Sequence, residues 1–211
     1  MSAAAPLADA LRLIVILDAG VAGDRDLAAL AAHAARGGAT MLQVRAKAAG
    51  ARDAAELTRR VMAATPLPVV VNDRLDVALA TGAAGCHLGQ DDFPIDAARA
   101  IAPAGFWLGG SAGNAEEARR AAAAGAHYLG IGPVAATASK ADAGAAIGVA
   151  GFRQARAAAP DVPAVAIGGI TPALATALVG AGARGVAVIR AVLDAADPEA
   201  ATRALRAAVD G

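Results

Sequence analysis

Short apolar runs alternate with stretches of helical periodicity along almost the whole chain. Eight of the runs have the length of a buried strand. They lie near Leu13–Leu17, Thr40–Arg45, Val69–Val71, Gly85–Leu88, Trp107–Gly110, Tyr128–Ile131, Ala164–Ile167 and Gly185–Ile189. The predicted helices lie near residues 26–36, 53–64, 74–81, 95–101, 115–124, 149–159, 172–180 and 198–208. This order predicts consecutive βα units around a parallel sheet.

Residues at the element boundaries agree with this division. Asn114 stands directly before the helix that starts at Ala115, and Thr171-Pro172 opens a later helix. Evenly spaced βα units in 211 residues favour a closed (β/α)8 TIM barrel, with an open doubly wound sheet as the alternative. We expect a single barrel domain over residues 1–211, in which residues 1–10 are poorly ordered or form a short N-terminal extension.

Composition narrows the class of protein. Hydrophobic residues make up 57% of the chain and aromatic residues only 2%, so we expect an aliphatic core. The net charge is zero, and no basic stripe indicates a nucleic-acid or membrane partner. One cysteine excludes an internal disulfide, and the first residues lack the charged segment of a secretory signal. We therefore expect a cytoplasmic protein, and a homo-oligomer is compatible with the sequence.

Two consecutive predicted strands are each followed by carboxylates. The third strand leads into Asn72-Asp73, and the fourth is followed by Asp91-Asp92. Parallel strands end at one face of a barrel, where ligands bind, so Asp73 and Asp92 are candidates for a shared Mg²⁺ ion. Asn72 is suited to donate to a phosphate oxygen. Capping of the helices that follow explains each acid alone equally well.

A polar trio lies on one face of the second predicted strand. Gln43, Arg45 and Lys47 are spaced by two residues, so their side chains point the same way, into the upper barrel. Two enclosed cations require an anion, and Arg and Lys together suit a diphosphate. The alternative is an internal ion pair with Asp73 or Asp92.

The fifth and sixth strands lead into small and hydroxyl residues. Ser111 follows Gly109-Gly110, where a ligand can approach the backbone closely. The irregular stretch 132–147 is long for a compact barrel and is a candidate lid. Two hydroxyls and an ammonium within it suit a phosphate, and a solvated loop is the alternative. These candidates are Thr137, Ser139 and Lys140.

The last two strands predict a separate phosphate site. Gly169 and Ile189-Arg190 follow the seventh and eighth runs, where barrels of this class bind phosphate through backbone N–H groups. Arg190 would add a charge-assisted contact. By contrast, we expect His87, inside the fourth run, to be a hydrogen-bonded interior residue that supports the site, and Cys86 to be structural.

Taken in order, these residues resemble the thiamine phosphate synthase family, from about Leu13 to Ala200. That family joins hydroxymethylpyrimidine diphosphate to a thiazole phosphate, with Mg²⁺ as cofactor, and releases pyrophosphate and thiamine phosphate. Its reaction is regarded as dissociative and needs no protein nucleophile. The matching motifs are Gln43-Val44-Arg45-Ala46-Lys47, Asn72-Asp73-Arg74, His87-Leu88-Gly89-Gln90-Asp91-Asp92, Gly132-Pro133-Val134, Thr137-Ala138-Ser139-Lys140 and Ala166-Ile167-Gly168-Gly169-Ile170.

The resemblance implies a role for each matching position. Asp73 and Asp92 would hold Mg²⁺. Gln43 would hydrogen-bond the pyrimidine, with Ser111 nearby. The diphosphate ligands would be Arg45, Lys47, Lys140 and Asn72. The three cations among them, Arg45, Lys47 and Lys140, would also act catalytically by stabilising charge on the leaving group. The thiazole phosphate ligands would be Thr137, Ser139, Gly169, Ile189 and Arg190.

The chain departs from the family's pattern at four places. The first strand, within Leu11–Asp18, lacks the usual early aromatic residue. Gly113 stands where the family usually has His, and Ala135-Ala136 replace an aromatic residue and a proline. Arg190 stands where the family usually has Ser. These changes bear on efficiency and substrate more than on fold.

Three other functions compete with synthesis of thiamine phosphate. A thiazole tautomerase uses a related barrel but places a His where this chain has Pro133. A catalytically weak barrel that binds thiamine intermediates is compatible with the four departures. A phosphosugar aldolase would use Lys47 or Lys140 to form a Schiff base, which requires a desolvated amine.

Overall fold

Eight parallel strands form a closed barrel. The computed structural model describes residues 6–137 and 144–211, and within them each strand pairs with the next while β1 pairs with β8. This confirms the predicted (β/α)8 barrel and rules out the open sheet. The strands are β1 (Leu13–Asp18), β2 (Met41–Arg45), β3 (Val69–Asn72), β4 (Gly85–Leu88), β5 (Trp107–Ala112), β6 (Tyr128–Ile131), β7 (Ala164–Ile167) and β8 (Gly185–Val188).

Helices cover the outside of the barrel. The eight predicted helices begin and end within two residues of their expected positions. Three four-residue helices in the described ranges, α1, α2 and α10, were not predicted, because a single turn is too short to show a helical period. The helices are α1 (Leu7–Ala10), α2 (Ala19–Ala22), α3 (Leu27–Arg36), α4 (Ala51–Ala63), α5 (Leu75–Thr81), α6 (Ile95–Ile101), α7 (Ala115–Ala123), α8 (Gly148–Ala157), α9 (Pro172–Gly180), α10 (Arg190–Leu193) and α11 (Pro198–Asp210).

The beginning of the described chain packs onto the barrel. Ala10 and Leu11 are buried, and Arg184, directly before β8, donates to the carbonyl of Ala8. Part of the predicted N-terminal extension is thus the helix α1. The single-domain organisation of the whole chain stays a prediction. In the residues described, no helix combines the length and apolar character needed to cross a membrane.

Glycines inside the barrel make room for the few large polar rings of the interior. A Cβ atom added to Gly109 of β5 would lie 2.3 Å from Tyr128 Cζ and 2.4 Å from His87 Nδ1. A Cβ atom on Gly130 of β6 would lie 3.0 Å from His87 Cε1. The two rings therefore occupy space that side chains on β5 and β6 would otherwise fill, and they lie just below the carboxyl ends of the strands.

Candidate active site

A cavity of about 840 Å³ opens at the carboxyl ends of the strands. Most residues singled out from the sequence line its wall, which confirms that they meet in space. Ser139 and Lys140 lie outside the described residues. The predicted residues that line the cavity are Gln43, Arg45, Lys47, Asn72, Asp73, Asp92, Ser111, Thr137, Gly169, Ile189 and Arg190.

Two carboxyl groups meet at the ends of β3 and β4. The side-chain carboxyl groups of Asp73 and Asp92 lie close enough to interact. Burial of Asp73, followed by this contact with Asp92, raises the pKa of the Asp73 carboxyl, while Lys47 and Arg45 act in the opposite direction. Two facing carboxyl groups need a proton or a cation between them, so the arrangement fits a cation site.

Neither acid caps a helix. The residues at the N-cap positions of α5 and α6 are Arg74 and Pro94, and in the described chain neither helix has a side-chain cap. Instead, Asp92 Oδ2 accepts the backbone N–H of Gly89 at 2.6 Å. The capping alternative is therefore wrong for both acids. The folded chain holds both carboxyl groups toward the cavity.

Asp73 also has an unusual backbone. Its φ is 63°, in the left-handed region, and it is the one non-glycine residue of the described chain with a positive φ. Asp tolerates this conformation better than most residues. The backbone N–H of Asp73 donates to the carbonyl of His87 at 2.8 Å, which ties the end of β3 to β4. Strained residues of this kind concentrate at functional sites.

The cations of β2 divide between two partners. Arg45 forms a buried ion pair with Asp18 at the end of β1, and Lys47 Nζ lies 3.6 Å from Asp73 Oδ2. Lys47 thus pairs with Asp73, as the alternative expected, but at a half-exposed rather than an internal position. For Arg45 the alternative is wrong, because its carboxylate partner is on β1. Gln43, two residues before Arg45 on β2, lies deeper in the barrel and is 4% exposed.

A hydrogen-bonded chain supports the end of β5. His87 Nε2 lies 3.0 Å from Ser111 Oγ, and His87 Nδ1 lies 3.3 Å from the Tyr128 hydroxyl. Burial raises the pKa of Tyr128, so its hydroxyl stays protonated. This confirms the expectation that His87 is a hydrogen-bonded interior residue. Burial likewise raises the pKa of the Cys86 thiol, which agrees with a structural Cys86.

Backbone rather than side chains shapes the far side of the cavity. Gly168 and Gly169 follow β7 with φ values of 98° and 62°. A Cβ atom on Gly168 would lie 2.7 Å from Pro133 Cα, and one on Gly169 would lie 2.7 Å from Ala135 Cβ. Ala135 also donates its N–H to the carbonyl of Gly168 at 3.0 Å. Only glycine fits between these chain segments.

Comparison with known proteins agrees with this geometry. A family model described as thiamine monophosphate synthase matches residues 13–192. The chain belongs to this family.

Members of the thiamine monophosphate synthase family cover nearly the whole chain. Thiamine-phosphate synthase of Methanoregula boonei is 47% identical over 199 residues, which are 93% of this chain and 92% of the relative. The enzyme of that name from Moorella thermoacetica is 46% identical over 200 residues, 93% and 95% of the two chains. A solved thiamine phosphate pyrophosphorylase from Pyrococcus furiosus superposes with a TM-score of 0.88 at 38% identity and covers 97% of this chain and 98% of its own.

Family membership gives the departure at Gly113 a structural meaning. Where the family usually carries His, the N–H of Gly113 donates to Glu117 Oε2 at 2.6 Å. The same oxygen accepts from Gln90 Nε2 at 2.7 Å, and the other accepts from Asn114 Nδ2 at 2.7 Å. Glu117 thereby joins the loops after β4 and β5. Sequence analysis missed this role, although the spacing of Asn114 and Glu117 is that of a helix capping box.

The departure at Arg190 lies at the rim of the cavity. Its guanidinium forms an ion pair with Asp194 at 3.0 Å, and about half of each side chain is exposed. The pair links successive turns on the outside of the barrel end. Exposed pairs of this kind are weak, so the Arg190 side chain can leave Asp194 for a ligand in the cavity at small cost.

Proposed function

We propose that the chain catalyses the Mg²⁺-dependent coupling of hydroxymethylpyrimidine diphosphate with thiazole phosphate, which gives thiamine phosphate and pyrophosphate. The observation that carries this proposal is the division of one cavity into two sides. Paired acids and cations from β2–β4 lie on one side, and glycine-lined backbone after β7 lies on the other. The names of the relatives support the same activity.

The acids fit the proposed metal ion. Asp73 and Asp92 are already in contact and one has a raised pKa, which is the environment that a divalent cation relieves. In the described residues no group of three or more His, Cys, Asp or Glu side chains forms a metal site. The two acids suit Mg²⁺, which takes one or two carboxylates and completes its shell with water and substrate phosphate. When bound, it would neutralise charge on the departing pyrophosphate.

The cations would bind the diphosphate and stabilise the leaving group. Arg45 can offer a planar pair of donors and Lys47 a mobile point charge. Lys140 would approach from the loop after β6, and Asn72, which is 8% exposed, would donate to a phosphate oxygen. Charge stabilisation of this kind is the main requirement of a dissociative step, together with exclusion of water.

The remaining residues would orient the two reactants. Gln43 and Ser111 would hydrogen-bond the pyrimidine, and His87 would hold the Ser111 hydroxyl in place. Correct placement of the thiazole nitrogen near the pyrimidine methylene accounts for much of the rate that a site without a nucleophile can achieve. The proposed thiazole phosphate ligands are Thr137, Ser139, Gly169, Ile189 and Arg190.

The competing functions fit the site less well. A tautomerase would not need the acids and cations, which are kept here. A Schiff-base aldolase needs a desolvated amine, but Lys47 is 54% exposed and lies beside Asp73. We propose that the chain acts on these small phosphorylated substrates in the cytoplasm as a single barrel domain.

A coupled assay tests the proposal. Both substrates are supplied with and without Mg²⁺, and release of pyrophosphate and formation of thiamine phosphate are followed together. We expect equal amounts of the two products, and only with Mg²⁺. Absence of both products at high enzyme concentration would overturn the synthase proposal. Isomerised thiazole without coupling would favour the tautomerase instead.

A further inference from the structure

A buried carboxylate lies behind the cation proposed to bind diphosphate. Asp18 is the last residue of β1 and is directly paired in register with Arg45 of β2. It lies two residues after Ile16, so it shares the interior face of the strand. Asp18 is 4% exposed and Arg45 is 8% exposed. The two side chains form an ion pair inside the barrel.

The two oxygens of Asp18 have separate partners. Oδ1 accepts the backbone N–H groups of Gly20 at 2.9 Å and Val21 at 3.1 Å, which caps α2. Oδ2 accepts from Arg45. Since the cap holds Oδ1, the other oxygen, Oδ2, is left to face Arg45.

Arg45 depends on this contact for its orientation. Within the described residues, its buried Nε has no hydrogen-bond partner. Arg45 lines the cavity, whereas Asp18 is not part of the cavity wall. Asp18 can therefore influence a ligand in the cavity only through Arg45.

Loss of the carboxylate would redirect the cation. A buried arginine without its partner is costly, and Arg45 already acts on the pKa of Asp73. Without Asp18, the guanidinium would turn toward Asp73, which is one of the two proposed metal ligands. The diphosphate would then lose Arg45 as a correctly placed donor. Arg45 would also neutralise part of the negative charge that Asp73 offers to the metal.

We propose that Asp18 is a positioning residue that fixes the Arg45 guanidinium for the diphosphate. The proposal rests on the proposed function, because it assumes a diphosphate on this side of the cavity. It assigns Asp18 no contact with substrate.

The test uses Asp18→Asn, which keeps an oxygen for the α2 cap and removes the acceptor of Arg45. Asp18→Ser is a second variant, since Ser also caps helices but is too short to hold Arg45. The matched control is Asp26→Asn. Asp26 caps α3 through the N–H of Ala28 at 3.1 Å and pairs with Arg60 at 2.8 Å on the surface. It combines the same two kinds of contact, a helix cap and an arginine pair, although both are made through Oδ1 and lie outside the cavity.

Binding of inorganic pyrophosphate in the presence of Mg²⁺ is measured by calorimetry, together with binding of thiazole phosphate. We expect both Asp18 variants to bind pyrophosphate roughly tenfold or more weakly than wild type, with thiazole phosphate affinity unchanged. The Asp26 variant should bind both ligands as wild type does. Unchanged affinity for thiazole phosphate shows that the barrel is intact. A variant whose fold was damaged would instead bind both ligands more weakly. If either Asp18 variant fails to fold, the other carries the test.

Two results separate the inference from the function it rests on. If wild type binds pyrophosphate and both Asp18 variants bind it equally well or more tightly, the positioning role is wrong and the proposed function stands. If wild type binds no pyrophosphate with Mg²⁺ present, the proposed function fails and the inference fails with it.

Discussion

The two sides of the cavity are built by different means. On the side of β1–β4, charged side chains are paired with one another before any ligand binds, as in Asp18 with Arg45 and Lys47 with Asp73. On the side of β7 and β8, glycines bring chain segments into contact and leave backbone to face the cavity. The first side is sensitive to charge and the second to volume. The following changes test that difference.

The largest effect should come from the acid pair. Replacing Asp92 by Ala removes a carboxylate that contacts Asp73 and accepts from Gly89. We expect turnover to fall by roughly a hundredfold or more, as for loss of other preorganised charge, and the Mg²⁺ requirement to rise. Turnover is measured across a Mg²⁺ titration.

Asp96→Asn is the control for that change, because Asp96 is an exposed acid in the first turn of α6 and is not part of the cavity wall. It should leave turnover unaltered. An Asp92 variant with wild-type Mg²⁺ dependence would show that the metal is held elsewhere.

The glycine side should respond to a single methyl group. Gly169→Ala places a Cβ atom 2.7 Å from that of Ala135 at a φ of 62°. We expect the KM for thiazole phosphate to rise roughly tenfold, equivalent to about 1.4 kcal/mol, with the KM for the pyrimidine substrate almost unchanged. Steady-state kinetics with each substrate varied in turn measure both constants.

Gly182→Ala separates backbone strain from volume. Gly182 also has a positive φ, 96°, but a Cβ atom there would meet nothing within 4 Å. Both variants should lose about 1–2 kcal/mol of stability from the left-handed backbone. Only the Gly169 variant should lose substrate affinity. Equal kinetic losses would mean that strain, not contact with the loop after β6, governs this side.

A smaller effect should come from Arg190→Ser, which restores the residue usual in the family. The change removes a cation that is half exposed and paired with Asp194, so we expect the KM for thiazole phosphate to rise by roughly fivefold or less. Arg203→Ser is the control, because Arg203 forms a similar exposed pair with Glu199 at 2.7 Å on α11. A lower KM in the Arg190 variant would show that Arg190 crowds the phosphate.

The smallest effect lies outside both sides, at His127. Burial, then the charge of Arg99, lowers the pKa of His127, whose Nδ1 accepts the N–H of Leu108 at 3.0 Å. Because the folded chain disfavours the proton, this contribution to stability is present above the ordinary His pKa of about 6.5 and is lost as the pH falls below it. His127→Asn, which does not titrate, should lose less stability between pH 7 and pH 5. Thermal unfolding at both pH values measures the difference, and identical losses would contradict the assignment.

The sequence was sufficient for the barrel, since apolar runs and helical periods repeat eight times and their boundaries carry capping signals. It was also sufficient to bring Asp73, Asp92, Arg45 and Lys47 together, because residues at strand ends share one face. It did not show which carboxylate pairs with which cation. Asp18 ends a wholly apolar run, and only the register of β1 with β2 places it opposite Arg45.

Contacts between distant interior residues were likewise beyond the sequence. Tyr128 reads as part of an ordinary buried strand. Its hydroxyl contact with His87 depends on Gly109, which leaves room for both rings, and on Gly130, which leaves room for His87. Such contacts follow from barrel closure rather than from local pattern. The predicted roles of Ser139 and Lys140 lie outside the described residues and stay predictions.

The most direct test of the two-sided cavity is the Mg²⁺ dependence of each ligand's affinity, measured separately by calorimetry. Pyrophosphate and thiazole phosphate are each titrated into the protein with Mg²⁺ and with chelator. We predict that Mg²⁺ raises the affinity for pyrophosphate by roughly tenfold or more and leaves the affinity for thiazole phosphate unchanged. Equal dependence of both ligands on Mg²⁺, or independence of both, would contradict the division of the cavity into a metal side and a backbone side.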